Sequence, residues 1–154
     1  DYPARDPGVI SVGASAYCDQ VKGVVGSGGY EYVAGYSNWG GSGGSPAVSL
    51  VAPGGDPDAN QTSASCTGSC IDPLQWITNL DSLQGPLAEE VSLFAGTSMA
   101  TPHVAGAAAL VLTKHPGLSP AQVLTILQMS ADKIGDNRQG AGRLNVVNAL
   151  NATP

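Results

Sequence analysis

The stretch Phe94-Ala95-Gly96-Thr97-Ser98-Met99-Ala100-Thr101-Pro102-His103-Val104-Ala105-Gly106 constrains the fold more than any other part of the chain. A short apolar segment leads into Gly96 and a long apolar helical run follows it, so the backbone passes here from strand to helix. Ser98 falls at that transition. The first N–H groups of a helix lack an intrahelical acceptor, and the helix dipole favours negative charge at that end. An oxyanion formed by attack of the Ser98 hydroxyl on a carbonyl would lie among those donors. The competing role for Ser98 is the plain one of capping a buried helix.

Upstream of this stretch, Val9-Ile10-Ser11-Val12-Gly13-Ala14 reads as a short strand ending at glycine. Tyr17 to Gly35 is polar and Gly-rich, a hairpin or surface loop. Tyr36-Ser37-Asn38-Trp39 reads as another strand, closed by the Gly40–Gly44 cluster. Ala47-Val48-Ser49-Leu50-Val51-Ala52 is a strand stopped by Pro53-Gly54. Asp56 to Glu90, with turn signals at Asp72-Pro73 and Gly85-Pro86, is expected to be a surface insertion. Downstream, Val104 to Leu112 is apolar on every side, which predicts a buried central helix ending near His115-Pro116-Gly117. If Thr97 caps that helix, Pro102 removes one early bond, to the Ser98 carbonyl. Ser119-Pro120-Ala121-Gln122 combines a cap, a proline at the first helical position and a glutamine three residues on. Val123, Ile126, Leu127 and Ser130 would form the buried face of that second helix. Gly142 to Val146 then reads as a short strand entering a terminal helix through Leu150.

The landmarks along this path resemble the subtilisin-like serine proteases (subtilases). Gly96-Thr97-Ser98-Met99-Ala100-Thr101-Pro102-His103-Val104-Ala105-Gly106 is similar to that family's nucleophile motif. Tyr2-Pro3-Ala4 with Val9 to Ala14 resembles its strand past the specificity pocket. Tyr36-Ser37-Asn38, Val51-Ala52-Pro53-Gly54 and Gly140-Ala141-Gly142-Arg143-Leu144-Asn145 resemble later landmarks. The resemblance implies an α/β fold, a mostly parallel sheet with helices on both faces. The strand and helix readings agree with that fold without selecting it. Residues 1–154 would be the C-terminal part of one catalytic domain, and the substrate a peptide or protein.

Serine chemistry needs a base within hydrogen-bond reach, an orienting partner for that base and oxyanion donors. The chain has two histidines. His103 lies five residues past Ser98, ~140° around a helix and ~7.5 Å along it, so the two side chains point apart. His115 sits ~25 Å away by the same geometry. His103 is therefore expected to be a packed structural residue and His115 a cation near a helix C-terminus. In the family's chain order the serine comes last, after Asp and His. The resemblance thus implies that Asp, His and the oxyanion Asn belong to an N-terminal part of the domain, with Ser98 supplying the nucleophile and one backbone N–H donor. This chain alone is expected to be inactive. It could instead act as a non-catalytic binding or assembly module that keeps the half-fold. The near match of Gly96-Thr97-Ser98-Met99-Ala100 to the Gly-x-Ser-x-Gly elbow of α/β-hydrolases fails, because no histidine follows His115.

Composition narrows the partners. With net charge −6 and only 6 Lys plus Arg, nucleic acid is not expected. No apolar run approaches the ~20 residues that span a bilayer. Asp1-Tyr2-Pro3 opens the sequence without a signal peptide, so export would be directed by a preceding segment. Cys66 and Cys70 bracket Thr-Gly-Ser. They form either a tight disulfide, implying an oxidising compartment, or two surface thiols. Cys18 is either buried and free or has its partner outside these residues. The resemblance agrees with a secreted or extracellular protein.

Further features stay secondary. Asp56-Pro57-Asp58-Ala59-Asn60 spaces oxygen ligands as calcium loops do, and calcium is common in the family. Gln61 stands where an EF-hand loop has glycine, so a solvated turn is the preferred reading and no cofactor is required for the chemistry. Asn60-Gln61-Thr62 and Asn151-Ala152-Thr153 fit the glycosylation triplet. Asp1 immediately precedes Tyr2-Pro3, a position the resemblance puts near the base of the pocket for the residue before the scissile bond. A carboxylate there would attract Arg or Lys; otherwise Asp1 is a frayed, solvated terminus.

Overall fold

The computed structural model describes residues 4, 6–18, 30–39, 48–56, 77–81 and 90–152. Among them the elements run β1 (Val12–Cys18), β2 (Tyr30–Val33), β3 (Leu50–Pro53), β4 (Ile77–Asp81), β5 (Glu90–Phe94), α1 (Thr97–Lys114), α2 (Pro120–Met129) and α3 (Val146–Asn151). β1 is the middle strand of a sheet ordered β2-β1-β3. It pairs antiparallel with β2, Ser15 opposite Val33, and parallel with β3, Val12 opposite Leu50. The closing segment joins this sheet at Arg143, which bridges parallel to Val51. The Val51 N–H donates to the Gly142 carbonyl at 2.9 Å and the Leu144 N–H to the Val51 carbonyl at 2.8 Å. The fold is α/β, and the described sheet is mixed.

α1 lies on β1 and β3, and α2 and α3 pack on α1 and on each other. The core joins Ala14, Leu50 and Ala52 of the sheet to Ala100, Val104, Ala107 and Val111 of α1 and to Val123, Ile126 and Leu127 of α2. Leu50 and Leu127 are fully buried. Burial of such a side chain contributes about 1.5–3 kcal/mol, so few contacts of this size suffice to fix α1 on the sheet. The start of α2 forms as its sequence predicts. The Ser119 N–H donates to Gln122 Oε1 at 2.9 Å, the Gln122 N–H returns to Ser119 Oγ at 3.4 Å, and Pro120 occupies the first turn. A cap of this kind is worth about 1 kcal/mol.

Several boundaries differ from expectation, each for a nonlocal reason. β1 starts at Val12 and runs through Gly13 to Cys18. Gly13 does not end the strand; it is buried where a side chain would meet Val51 Cγ1 at 2.9 Å and Ser37 Oγ at 3.1 Å. Tyr36-Ser37-Asn38-Trp39 is a turn and extended loop, and the strand lies earlier, at Tyr30–Val33. The Ser37 N–H turns back to the Ala34 carbonyl at 2.9 Å and Ser37 Oγ accepts the Ala14 N–H at 2.9 Å, which ends the ladder there. β3 is shifted to Leu50–Pro53. The expected surface insertion between Asp56 and Glu90 contains β4, and Glu90 itself opens β5. The two strands pair antiparallel from Ile77–Phe94 to Asp81–Glu90. The turn signals at Asp72-Pro73 and Gly85-Pro86, and the Gly40–Gly44 cluster, lie outside the described residues.

α1 is not buried on every side. Its inner face holds Ala100, Val104, Ala107 and Val111, whereas Leu110 is 49% and Leu112 39% exposed. No helix among the described residues is long and apolar enough to cross a membrane.

Candidate active site

β5 delivers the chain to Ala95 and Gly96, and α1 begins at Thr97. The N-cap is Gly96 rather than Thr97, and no side chain caps it. Gly96 has φ 153° and ψ 162°, a region essentially restricted to glycine. Its N–H donates to the Gly54 carbonyl at 2.8 Å, which ties the turn to the end of β3. Gly54 is itself pressed against β1: a Cβ there would lie 2.5 Å from Ala14 Cβ and 2.8 Å from the Gly96 oxygen. Two glycines therefore let three backbone segments converge under the start of α1.

Ser98 is the second residue of the helix, exposed and in its first turn. The Met99 N–H bends back to the Gly96 carbonyl at 3.0 Å. This leaves the Thr97 and Ser98 N–H groups without an acceptor among the described residues, at the positive end of an 18-residue helix. Ser98 does not cap the helix, so its hydroxyl is free of the structural task that the sequence left open. The arrangement presents a hydroxyl and N–H donors at one helix start, two of the parts that acyl transfer requires.

Neither histidine supplies the base. His103 is exposed, against the packed role expected of it, because it falls on the outer face of α1. Its Nδ1 lies 2.7 Å from the Met99 carbonyl of its own helix. His115 is the C-cap residue at the opposite end of α1 and is half-buried. Its Nε2 has no hydrogen-bond partner among the described residues. Both positions follow from helix geometry, as their spacing from Ser98 predicts.

Asp56 overturns its expected place in a solvated turn. It is fully buried, accepting from the Tyr32 hydroxyl and from the Gly35 N–H, each at 3.3 Å. A carboxylate committed in this way serves the scaffold beneath Gly54, since a buried charge needs its hydrogen bonds met. Asp1, Asp58, Asn60, Cys66 and Cys70 lie outside the described residues, as do Tyr2, Pro3, Gln61, Thr62 and Thr153. Cys18 is placed in β1 by its backbone alone. Among the described residues, no three His, Cys, Asp or Glu side chains gather as metal ligands.

Sequence reasoning missed the contribution of Tyr36. Its hydroxyl donates to the Gly54 carbonyl at 2.9 Å and reaches the Gly55 carbonyl at 2.5 Å. Burial of the hydroxyl, then the Asp56 charge, push the phenol well above its ordinary pKa, so it remains a donor at working pH. The only available signal was its place in Tyr36-Ser37-Asn38. A surface depression of about 560 Å³ lies elsewhere, between Glu31, Tyr32 and the 134–138 turn, and includes none of the residues around Ser98. Arg138 pairs with Asp136 at its edge, at 2.7 Å.

Comparison with known proteins gives this geometry its context. The family model described as the subtilase family matches residues 1–142. Subtilisin DY of Bacillus licheniformis is 56% identical over 52 residues, covering 33% of this chain and 19% of the relative. Subtilisin Savinase of Lederbergia lenta is 36% identical over 143 residues, covering 92% of this chain and 46% of the relative. The crystal structure of fervidolysin from Fervidobacterium pennivorans, a keratinolytic enzyme related to subtilisin, superposes with TM-score 0.65 at 28% identity. That match covers 99% of this chain and 20% of fervidolysin. The chain thus spans less than half the length of these relatives. A family match over most of the chain, with the glycine-capped helix start around Ser98, places the protein in the subtilase family of serine proteases.

Proposed function

We propose that residues 1–154 are the C-terminal part of a subtilisin-like serine endopeptidase domain and that Ser98 is its nucleophile. The observation that carries this reading is the exposed Ser98 hydroxyl in the first turn of α1, beside two N–H donors. The Ser98 hydroxyl attacks the substrate carbonyl as its proton passes to the His base of the full domain, and the carbonyl π electrons move onto the oxygen, which the Ser98 N–H stabilises. Asp, His and the side-chain oxyanion donor come from an N-terminal part of the same domain. The broad exposed face of α1, with Leu110 and Leu112 at its two edges, supports a further packed layer there. The same exposed face favours the second reading, in which this chain by itself serves as an assembly module. A secreted location and a Cys66–Cys70 disulfide belong to this proposal as well.

A fluorophosphonate probe applied to the full catalytic domain tests the nucleophile. One serine is expected to be labelled, the modified peptide to contain Ser98, and labelling to vanish in Ser98→Ala. Labelling that persists in that variant would remove Ser98 from the mechanism.

The proposal extends to specificity. Asp1 is assigned to the pocket for the residue before the cut, where a carboxylate pairs with Arg through two parallel hydrogen bonds. Cleavage of a peptide library by the full domain is expected to favour Arg and Lys at that position, and Asp1→Gly to reduce the preference at least about tenfold. A library profile without that preference, or one untouched by the substitution, excludes Asp1.

A further inference from the structure

Tyr36 lies far from Ser98 in sequence, yet its hydroxyl meets the backbone that carries Ser98. The Tyr36 hydroxyl and the Gly96 N–H share one acceptor, the Gly54 carbonyl, at 2.9 and 2.8 Å. The hydroxyl also reaches the Gly55 carbonyl, so one proton is directed between two oxygens of the segment leaving β3. The base of this turn is anchored in turn by Asp56, which accepts from the Gly35 N–H immediately before Tyr36. Ser98 stands two residues beyond Gly96, with no side-chain cap at the helix start to hold it independently.

We propose that Tyr36 is a positioning residue for Ser98, its hydroxyl clamping the Gly54–Gly55 carbonyls against the Gly96 turn so that the nucleophile and the first-turn N–H groups keep their relative placement. This rests on the reading of Ser98 as nucleophile. The aromatic ring is partly exposed, so the hydroxyl rather than bulk packing is the part that acts. Displacement of a reacting group by about 1 Å is enough to cost on the order of a hundredfold in rate, and a loosened turn gives a fraction of that.

The test compares the full catalytic domain with its Tyr36→Phe variant, which keeps the ring and removes the hydroxyl. The second-order rate constant for fluorophosphonate labelling of Ser98 is expected to fall about tenfold. With a peptide substrate, kcat should fall by a similar factor while KM stays within about twofold, because the clamp acts on acylation rather than on uniform binding. Rates are normalised to folded protein, so a loss of stability alone does not imitate the effect. Equal normalised labelling rates, or a change confined to KM, overturn the role of Tyr36 while leaving Ser98 in place. Wild-type labelling that survives Ser98→Ala overturns both. Hydrogen exchange on the wild-type domain gives a reading that needs no variant. The Gly96 amide should be protected well beyond the neighbouring Thr97 amide, and equal exchange at the two overturns the clamp.

Discussion

Prepared alone, the 154-residue chain is expected to hydrolyse peptides at least about ten-thousandfold more slowly than the full catalytic domain. In subtilisin, loss of a single triad member lowers kcat by roughly 3 × 10⁴ to 2 × 10⁶. Here both histidines are accounted for, one on the outer face of α1 against its own Met99 carbonyl and one at the far end of the helix. Without a base, the Ser98 hydroxyl keeps its proton and is a poor nucleophile at neutral pH. The measurement is steady-state cleavage of a chromogenic peptide by a preparation whose intact mass is 15.4 kDa, beside the full domain. Restoring activity by adding the N-terminal part in trans would strengthen the reading. Turnover by the chain alone within about a hundredfold of the full domain would refute it, and would require a base that the positions of His103 and His115 do not provide.

What could be read from the sequence was local chemistry. The break between an apolar strand and an apolar helix at Gly96 placed Ser98 correctly, because a helix start is decided within a few residues. The capping box at Ser119 and Gln122 was legible for the same reason, as both partners lie within one turn. Strand edges were less legible. Whether the chain stays extended at Tyr36 depends on Ser37 reaching Ala14, a partner 23 positions away. Gly13 looked like a terminator because glycine often ends strands, yet here it is required by Val51 and Ser37 pressing from neighbouring segments.

Charge and burial were harder still. Asp56 followed by proline looks like a solvated turn, and only the fold brings Tyr32 and Gly35 to it. Tyr36 looked like a strand residue, since nothing in its neighbourhood announces that two carbonyls, 18 and 19 positions on, will lie under its hydroxyl. The apolar run of α1 suggested burial all round. In the described structure one side is buried and Leu110 and Leu112 remain at the surface. An apolar run reads as buried all round, yet the pattern alone does not say which faces of the helix its neighbours cover.

Replacing Gly54 with alanine is expected to inactivate the full domain at least about a hundredfold and to lower its stability by about 1–3 kcal/mol. The added methyl has no vacant space: it would stand 2.5 Å from Ala14 Cβ, 3.2 Å from Ala14 Cα and 2.8 Å from the Gly96 oxygen. All three contacts are to backbone or to a Cβ, which cannot rotate away. Relief therefore requires β3 to separate from β1, or the Gly96 turn to lift from the end of β3. The first breaks the parallel pairing of Ala14 with Ala52, and the second carries Ser98 with it. Gly117→Ala is the matched control, since nothing lies within 4 Å of its new methyl and it sits in the turn beyond the far end of α1. There the same change should raise stability by about 0.4–1 kcal/mol through a less flexible unfolded chain. Thermal midpoints and fluorophosphonate labelling rates of the two variants decide the matter. If Gly54→Ala labels at the wild-type rate with an unchanged midpoint, the close approach of β1, β3 and the Gly96 turn is not what positions the serine.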